Sequence, residues 1–501
     1  MQFKRVSFVS VQKVLIPVLV FVIAAVVYSQ YGFRASLTRD GAISLYAGQR
    51  MAQGVPPYAS IFVNWGPLAA MLAGLGAMLS KQFAWDDIYT VRLIFLMASC
   101  FVVVSVYFLG NSLFQSRRVG SFAALAFLGF FFFAKRAASG PSMKTPMVLF
   151  ATLSLLLTSQ RKWFWAGICG ALSFLTWQPT AIFPLVTLIL ATTQPRKERY
   201  QAISRALAGI GLPVVAIGAY FHHYDALYEF LDGLILFNVR YLERPPSSFI
   251  SHLSNPIRAI FSGYRTMGLP ILIGFIMVVY IYLWRRSLHP SLRDTLTKDE
   301  FAPILLSFPA LVVWSLLDFQ CSPDFYVFLP YVAIGFGRFL NLAVQHTERS
   351  RDTTPHKGAP KFLTIALCVA LIASAWIGLY LRRESGLDRQ IQAALEIKRR
   401  FGDDVKLVSI GAPEVLVVLH RTNLTQYAYI DAGIDRRIHA NTPGGFEGWL
   451  RELETYDPDV IAYRVKRGSV HIDKLKKWLK SRYHPEKVGP WRLFVRDSLE
   501  K

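Results

Sequence analysis

The chain has 501 residues, of which 53% are hydrophobic and only 17% charged, with a mean hydropathy of +0.35. Soluble domains carry nearer a quarter charged residues, so this composition excludes an ordinary soluble protein. The net charge of +23 would suit nucleic acid, but no P-loop, zinc-finger spacing or RRM-like motif is present, and much of the charge lies in short loops between apolar runs. The four cysteines, Cys100, Cys169, Cys321 and Cys368, show no CxxC spacing, which implies neither a disulfide framework nor a cysteine metal site.

The apolar runs are roughly 15 to 22 residues long, close to the length that crosses a bilayer. The first, Val14 to Val27, follows Lys4, Arg5 and Lys13. It begins like a signal peptide, but no small-x-small cleavage site follows, so it reads as an uncleaved first span. Spans are expected at 14–31, 89–111, 119–134, 146–158, 163–176, 178–193, 205–221, 267–284, 302–317, 325–343 and 362–381. With the N-terminus in the cytoplasm, the inside loops hold Arg117 and Arg118, Arg161 and Lys162, Arg196 to Arg205, Arg285 to Lys298, and Arg349 to Lys361. That is a positive-inside pattern, and about eleven spans leave the C-terminal tail outside. The segment 67–80 is apolar but short, and counting it as a span would invert every later loop. It therefore reads as a helix lying at the membrane surface.

Two long outside loops, 32–88 and 222–266, are expected to carry function. From 385 onward, short apolar strands alternate with amphipathic helices. Strands are expected at 405–411, 426–430, 459–465 and 491–496, with helices at 413–420, 444–456 and 473–483. This predicts two units: a transmembrane unit, 1–384, and a small extracytoplasmic α/β domain, 385–501. No internal repeat is present.

Asp40 stands just beyond the first membrane exit and precedes a helical pattern over 44–52. Such a carboxylate can act as a base towards an acceptor hydroxyl or amine while a lipid carrier delivers an activated sugar. It can equally be the N-cap of the helix that follows, and spacing alone favours the cap. Cations expected on the outer side are Arg34, Arg39, Arg92, Lys135, Arg136, Lys144, Arg240, Arg244 and Arg258. Lys135, Arg136 and Lys144 bracket the short turn RAASGPSMKTP, where positive-inside bias disfavours them. They suit either an anion or snorkelling to lipid headgroups.

The order of motifs adds a likeness. One span, Asp40, an Ala/Tyr-rich helix ending in GVPPY (54–58), and the NWGPL segment (64–68) together resemble the first loop of GT-C glycosyltransferases. Within these, the motifs look more like the branch of the dolichyl-phosphate-mannose protein mannosyltransferases and aminoarabinose lipid A transferases. YTVR (89–92) is similar to that branch's Ala-Arg-Leu start, Arg117-Arg118 to its Gly-Arg-Arg turn, and LTWQP (175–179) to its Leu-Thr-Lys-Gly-Pro. DFYVFLP (324–330) is similar to its aromatic Tyr-x-Leu-Pro segment. The chain departs from the pattern in its second motif, Asn64-Trp65-Gly66-Pro67-Leu68, which lacks the usual Lys or His.

The resemblance covers about 14–345. It implies a mainly α, polytopic helical bundle of GT-C type and inverting transfer from a polyprenyl-phosphate sugar to an extracytoplasmic acceptor in a cell membrane, with a bacterial plasma membrane as the expected setting. Asp40 would be the base, and Arg39, Arg92, Lys135, Arg136 and Lys144 would be candidate ligands of the donor phosphate. Asp87 and Asp324 would be acceptor-site candidates. Membrane lipid is an implied partner and nucleic acid is not. The likeness admits a divalent cation, Mg or Mn, without requiring one.

The remaining polar residues have structural readings beside functional ones. Asp86-Asp87 suits a helix cap, and the adjacent His222-His223 point apart and make poor co-ligands. Asp225, Glu229 and Asp232 share one side of a helical pattern, a solvated face or a cation site. Asp318 and Asp324 flank a turn beside Cys321. The tail has no nucleophile elbow, GxGxxG or HExxH. It contains a glycosylation sequon at 423–425 and three tryptophans, Trp449, Trp478 and Trp491, that suit a core. Two competing functions remain: a flippase for a lipid-linked sugar, which predicts inverted repeats and broken midplane helices, and a non-catalytic envelope scaffold.

Overall fold

Inside a bilayer a chain must satisfy its own backbone hydrogen bonds, so long apolar runs become helices. The computed structural model describes residues 8–500, apart from 242–248, 265–266, 289–290, 292–295, 298, 320, 351–358, 431–432 and 466–468. The first ten helices are α1 Phe8–Ser29, α2 Arg39–Met51, α3 Leu68–Phe83, α4 Asp87–Phe114, α5 Arg117–Leu128, α6 Phe131–Ser139, α7 Lys144–Ser159, α8 Trp163–Phe174, α9 Ile182–Thr192 and α10 Arg196–His223. Further long helices are Phe249–Tyr264, Gly268–Leu288, Ala302–Asp318, Leu329–Ser350 and Ala359–Tyr380.

Each expected span falls on an apolar helix, but they differ in reach. Among the described residues, five helices are long and apolar enough to cross a membrane alone: 87–114, 196–223, 268–288, 322–349 and 361–380. The span expected at 119–134 is broken. Helices α5 and α6 bend by 70°, and together they make a sixth candidate. Phe130 and Phe133 are buried at the bend, with Phe133 packed on Phe127 and Tyr326. Aromatic burial there outweighs continuing the helix. The bend carries Lys135 and Arg136 on α6 away from the line of α5.

Helix α3 has 16 residues, about 24 Å at the α-helical rise and short of a hydrocarbon core. It packs between α2 and α4. The α2–α3 approach is close: a Cβ on Gly48 would stand 2.6 Å from the Ala73 carbonyl carbon. Gly66 is tighter still, with a Cβ falling 2.0 Å from the Leu175 carbonyl oxygen. The amides of Gly66 and Leu68 donate to the carbonyls of Thr176 and Leu175. The NWGPL segment is thereby seated on the end of α8.

The tail forms a four-stranded sheet from β1 Leu407–Ile410, β2 Val460–Tyr463, β3 Tyr483–Val488 and β4 Trp491–Arg496, in the order β1-β2-β4-β3. β1 and β2 are parallel, with Leu407 opposite Val460, while β2–β4 and β3–β4 are antiparallel. The strand expected at 426–430 is not a ladder strand; it is held by isolated bonds, such as the Phe62 amide donating to the Gln426 carbonyl at 2.8 Å. Trp449, Trp478 and Trp491 are buried, as a core role requires.

This sheet domain is fastened to the two long loops. One buried apolar cluster runs from Tyr46, Phe62 and Phe237 into Trp449 and Leu493. Gln390 clamps Leu37 through both amide ends, at 2.7 and 3.0 Å. Asp232 and Arg437 form a buried ion pair at 2.7 Å, so Asp232 belongs to this joint rather than to a solvated face. Asn423 of the sequon is also buried; its side chain accepts from the Ser409 amide at 2.7 Å and donates to the Thr425 carbonyl. It is a structural residue that holds its loop.

Candidate active site

A cavity of about 560 Å³ lies where the first loop, the α6–α7 turn and the sheet domain meet. Asp40 lines it from the first turn of α2. Asp40 is not the cap. Thr38 occupies that position, its hydroxyl accepting from the Gly41 amide at 3.3 Å. With the cap supplied by Thr38, the Asp40 carboxylate is left to the cavity, and its side chain is 65% exposed. Its recorded ion pair is with Arg39 Nε at 3.7 Å. The α2 N-terminus adds a partial positive charge at the same place.

The structure brings some of the expected cations here and not others. Arg39 and Arg136 line the cavity. The Arg39 guanidinium lies 5.8 Å from the Tyr429 ring centroid, and Arg136 donates to the Thr38 hydroxyl at 3.2 Å. Arg92 lies elsewhere: it is fully buried and donates to the carbonyls of Phe33, Ala35 and Gly140. It ties the first loop to the α6–α7 turn and is removed from the phosphate candidates. Lys135 stands outside the cavity wall, 4.7 Å over the Phe132 ring. Arg34 pairs with Asp388 at 3.7 Å, Arg240 and Arg258 are exposed, and Arg244 lies outside the described residues.

Lys144 does reach the cavity, but as half of a buried pair. Its Nζ lies 3.0 Å from Asp324 Oδ1 and 3.0 Å from the Trp177 ring centroid. Asp324 also accepts from the Cys321 amide at 3.2 Å, which holds the 321–324 turn. Asp318 lines the same wall. Asp87 lies elsewhere: it accepts from Gln49 at 2.7 Å and stands 3.8 Å from His420, at the joint between α2 and the sheet domain. The cap of α4 is Asp86, which accepts from the Tyr89 amide. His222 and His223 are exposed at the end of α10.

Among the described residues no three His, Cys, Asp or Glu side chains converge as a bound cation requires. Asp324 is, moreover, committed to Lys144. Among the described residues the donor set does not fit a resident Mg or Mn.

Some of the wall was not singled out from the sequence. The sheet domain contributes Tyr429 and Ile434, and the second loop contributes Phe237 and Asn238. Glu414, read only as part of a helix start, is buried beside the site. One of its carboxylate oxygens lacks a hydrogen-bond partner among the described residues, and the other stands 3.5 Å from Arg464. Burial pushes its carboxyl from the usual 4.5 to about 7; Arg464 and Arg39 pull against that shift, and Asp40 adds to it. The raised value makes protonated Glu414 part of the folded state, so stability falls as pH rises from about 4.5 to 7. A shift of this size is worth about 3 kcal/mol. Thermal unfolding from pH 4.5 to 7.5 is expected to lose this slope in Glu414→Gln; an unchanged pH profile would contradict the assignment.

Residues 58–218, about a third of the chain, match the family model described as DolP-mannose mannosyltransferase. The fold is similar to that of ArnT from Cupriavidus metallidurans in the apo state, with a TM-score of 0.62 and 12% identity over 98% of this chain and 99% of that one. The same enzyme bound to undecaprenyl phosphate gives 0.60 and 12% identity, covering 96% and 98%. The archaeal oligosaccharyltransferase AglB from Archaeoglobus fulgidus, in complex with an inhibitory peptide and a dolichol-phosphate, gives 0.55 and 12%, covering 98% and 75%. No curated relative matches in sequence.

In architecture, a bundle of apolar helices with a small sheet domain, the chain is similar to the GT-C glycosyltransferases ArnT and AglB.

Proposed function

We propose that the chain moves a sugar from a polyprenyl-phosphate donor to an acceptor outside the cytoplasm, with inversion at the anomeric carbon. The observation that carries this reading is the Asp40 carboxylate, uncapped and open to the cavity, with Arg39 and Arg136 beside it. Asp40 takes the proton of the acceptor hydroxyl or amine as the acceptor atom bonds to the anomeric carbon. The bond from that carbon to the phosphate oxygen breaks, and its electron pair leaves with the lipid phosphate. Arg39, Arg136 and the α2 N-terminus offset the charge that develops there. Attack from the face opposite the leaving oxygen inverts the configuration.

The cavity and the sheet domain lie together on the outer side in this reading, which agrees with the positive-inside pattern of the loops. ArnT bound to undecaprenyl phosphate and AglB in complex with a dolichol-phosphate share the fold, which supports a polyprenyl-phosphate donor. Purified protein given polyprenyl-phosphate mannose and an envelope extract as acceptor source is expected to transfer label and release polyprenyl phosphate in equal amounts. Unaltered donor after prolonged incubation would defeat the proposal.

A further inference from the structure

The cavity has two chemically different walls. One holds the cations beside Asp40. The other is neutral, built from Asn64, Trp65, Gln178 and Asn238. On that wall the Gln178 amide nitrogen donates to the carbonyls of Asn64 and Leu234, both at 2.9 Å. The Asn238 nitrogen donates to the same Asn64 carbonyl at 3.0 Å and to Gly233 and Leu234 at 3.2 Å. These bonds fix the flip of both amides. Each nitrogen end is used on the backbone, which leaves the oxygen end of each amide as its acceptor.

We propose that this neutral wall is the subsite for the sugar ring of the donor, with Gln178 Oε1 and Asn238 Oδ1 accepting from sugar hydroxyls and Trp65 covering an apolar face of the ring. The inference rests on the polyprenyl-phosphate reading above. A glycosyl phosphate is joined through one oxygen atom, so a phosphate at Arg39 and Arg136 leaves its sugar in this same cavity. Uncharged acceptors and an indole suit a polyol; they offer nothing to a second phosphate. The three chain segments that build the wall, 64–65, 178 and 238, meet through the Asn64 carbonyl. The subsite is therefore pre-formed, at little ordering cost on binding.

The test compares affinities of purified full-length protein in detergent for polyprenyl phosphate and polyprenyl-phosphate mannose. The wild type is expected to bind the sugar-bearing lipid more tightly. Gln178→Leu with Asn238→Leu is expected to cut that preference by about 5- to 150-fold, the loss of two hydroxyl hydrogen bonds, while affinity for polyprenyl phosphate stays the same. Trp65→Leu leaves the amides in place and is expected to reduce the preference as well, and it decides the matter should the double variant fail to fold. Equal affinity for the two lipids in the wild type, or an unchanged preference in the variants, overturns the subsite alone. Failure to bind either lipid overturns the donor reading and the subsite with it.

Discussion

Asp40→Asn is expected to lower sugar transfer by about 10²–10⁴-fold, the usual contribution of a positioned base, without changing donor affinity or thermal stability appreciably. The substitution is close to isosteric and removes only the capacity to take a proton. Because Thr38 caps α2, the helix start survives. The lost favourable charge in the first turn is worth ~0.3–1 kcal/mol. The Asp40 side chain is exposed to the cavity and its ion pair with Arg39 is long, so no buried charge is stranded. Transfer rate, donor binding and unfolding temperature measured on the same preparation separate catalysis from folding. Full transfer by the folded variant would remove Asp40 from the mechanism.

Lys144→Met is expected to destabilise the protein by about 3–5 kcal/mol, the range for breaking a buried ion pair from one side. Lys144 and Asp324 retain only 4% and 9% of their side-chain exposure and meet at 3.0 Å. Removing the ammonium leaves the buried Asp324 carboxylate on the 321–324 turn without the cation that offsets its charge. Adding Asp324→Asn to Lys144→Met is expected to recover part of the loss, and a double-mutant cycle reads the coupling directly. The same experiment decides between two roles for Lys144. A phosphate ligand would lose donor affinity with little change in unfolding temperature, whereas a structural partner shows the reverse.

The failures of local reading share a cause. Thr38, Arg39 and Asp40 all precede the same helical pattern, and Thr and Asp are both good caps, so spacing cannot choose between them. The φ/ψ angles and the Gly41 bond choose Thr38. Arg92, Asp87 and Asp232 looked like outward-facing charges. Each is consumed by a partner distant in the chain: the carbonyls of Phe33, Ala35 and Gly140, the amide of Gln49, and the guanidinium of Arg437. The strand β3 went unread because YHPEKV buries only two of its six side chains and carries Pro485 on a sheet edge, where proline is tolerated.

By itself the sequence determined that the chain is a helical membrane protein with a small α/β tail and a carboxylate just beyond its first apolar helix. These follow from local composition and from charge placement, on which the bilayer acts segment by segment. Tertiary structure alone decided that Arg39 and Arg136 stand with Asp40 while Arg92 does not, that Lys144 is neutralised by Asp324, and that Tyr429 of the tail closes the same cavity. A charged group's partner is selected by packing between segments hundreds of residues apart, and no window along the chain contains that information.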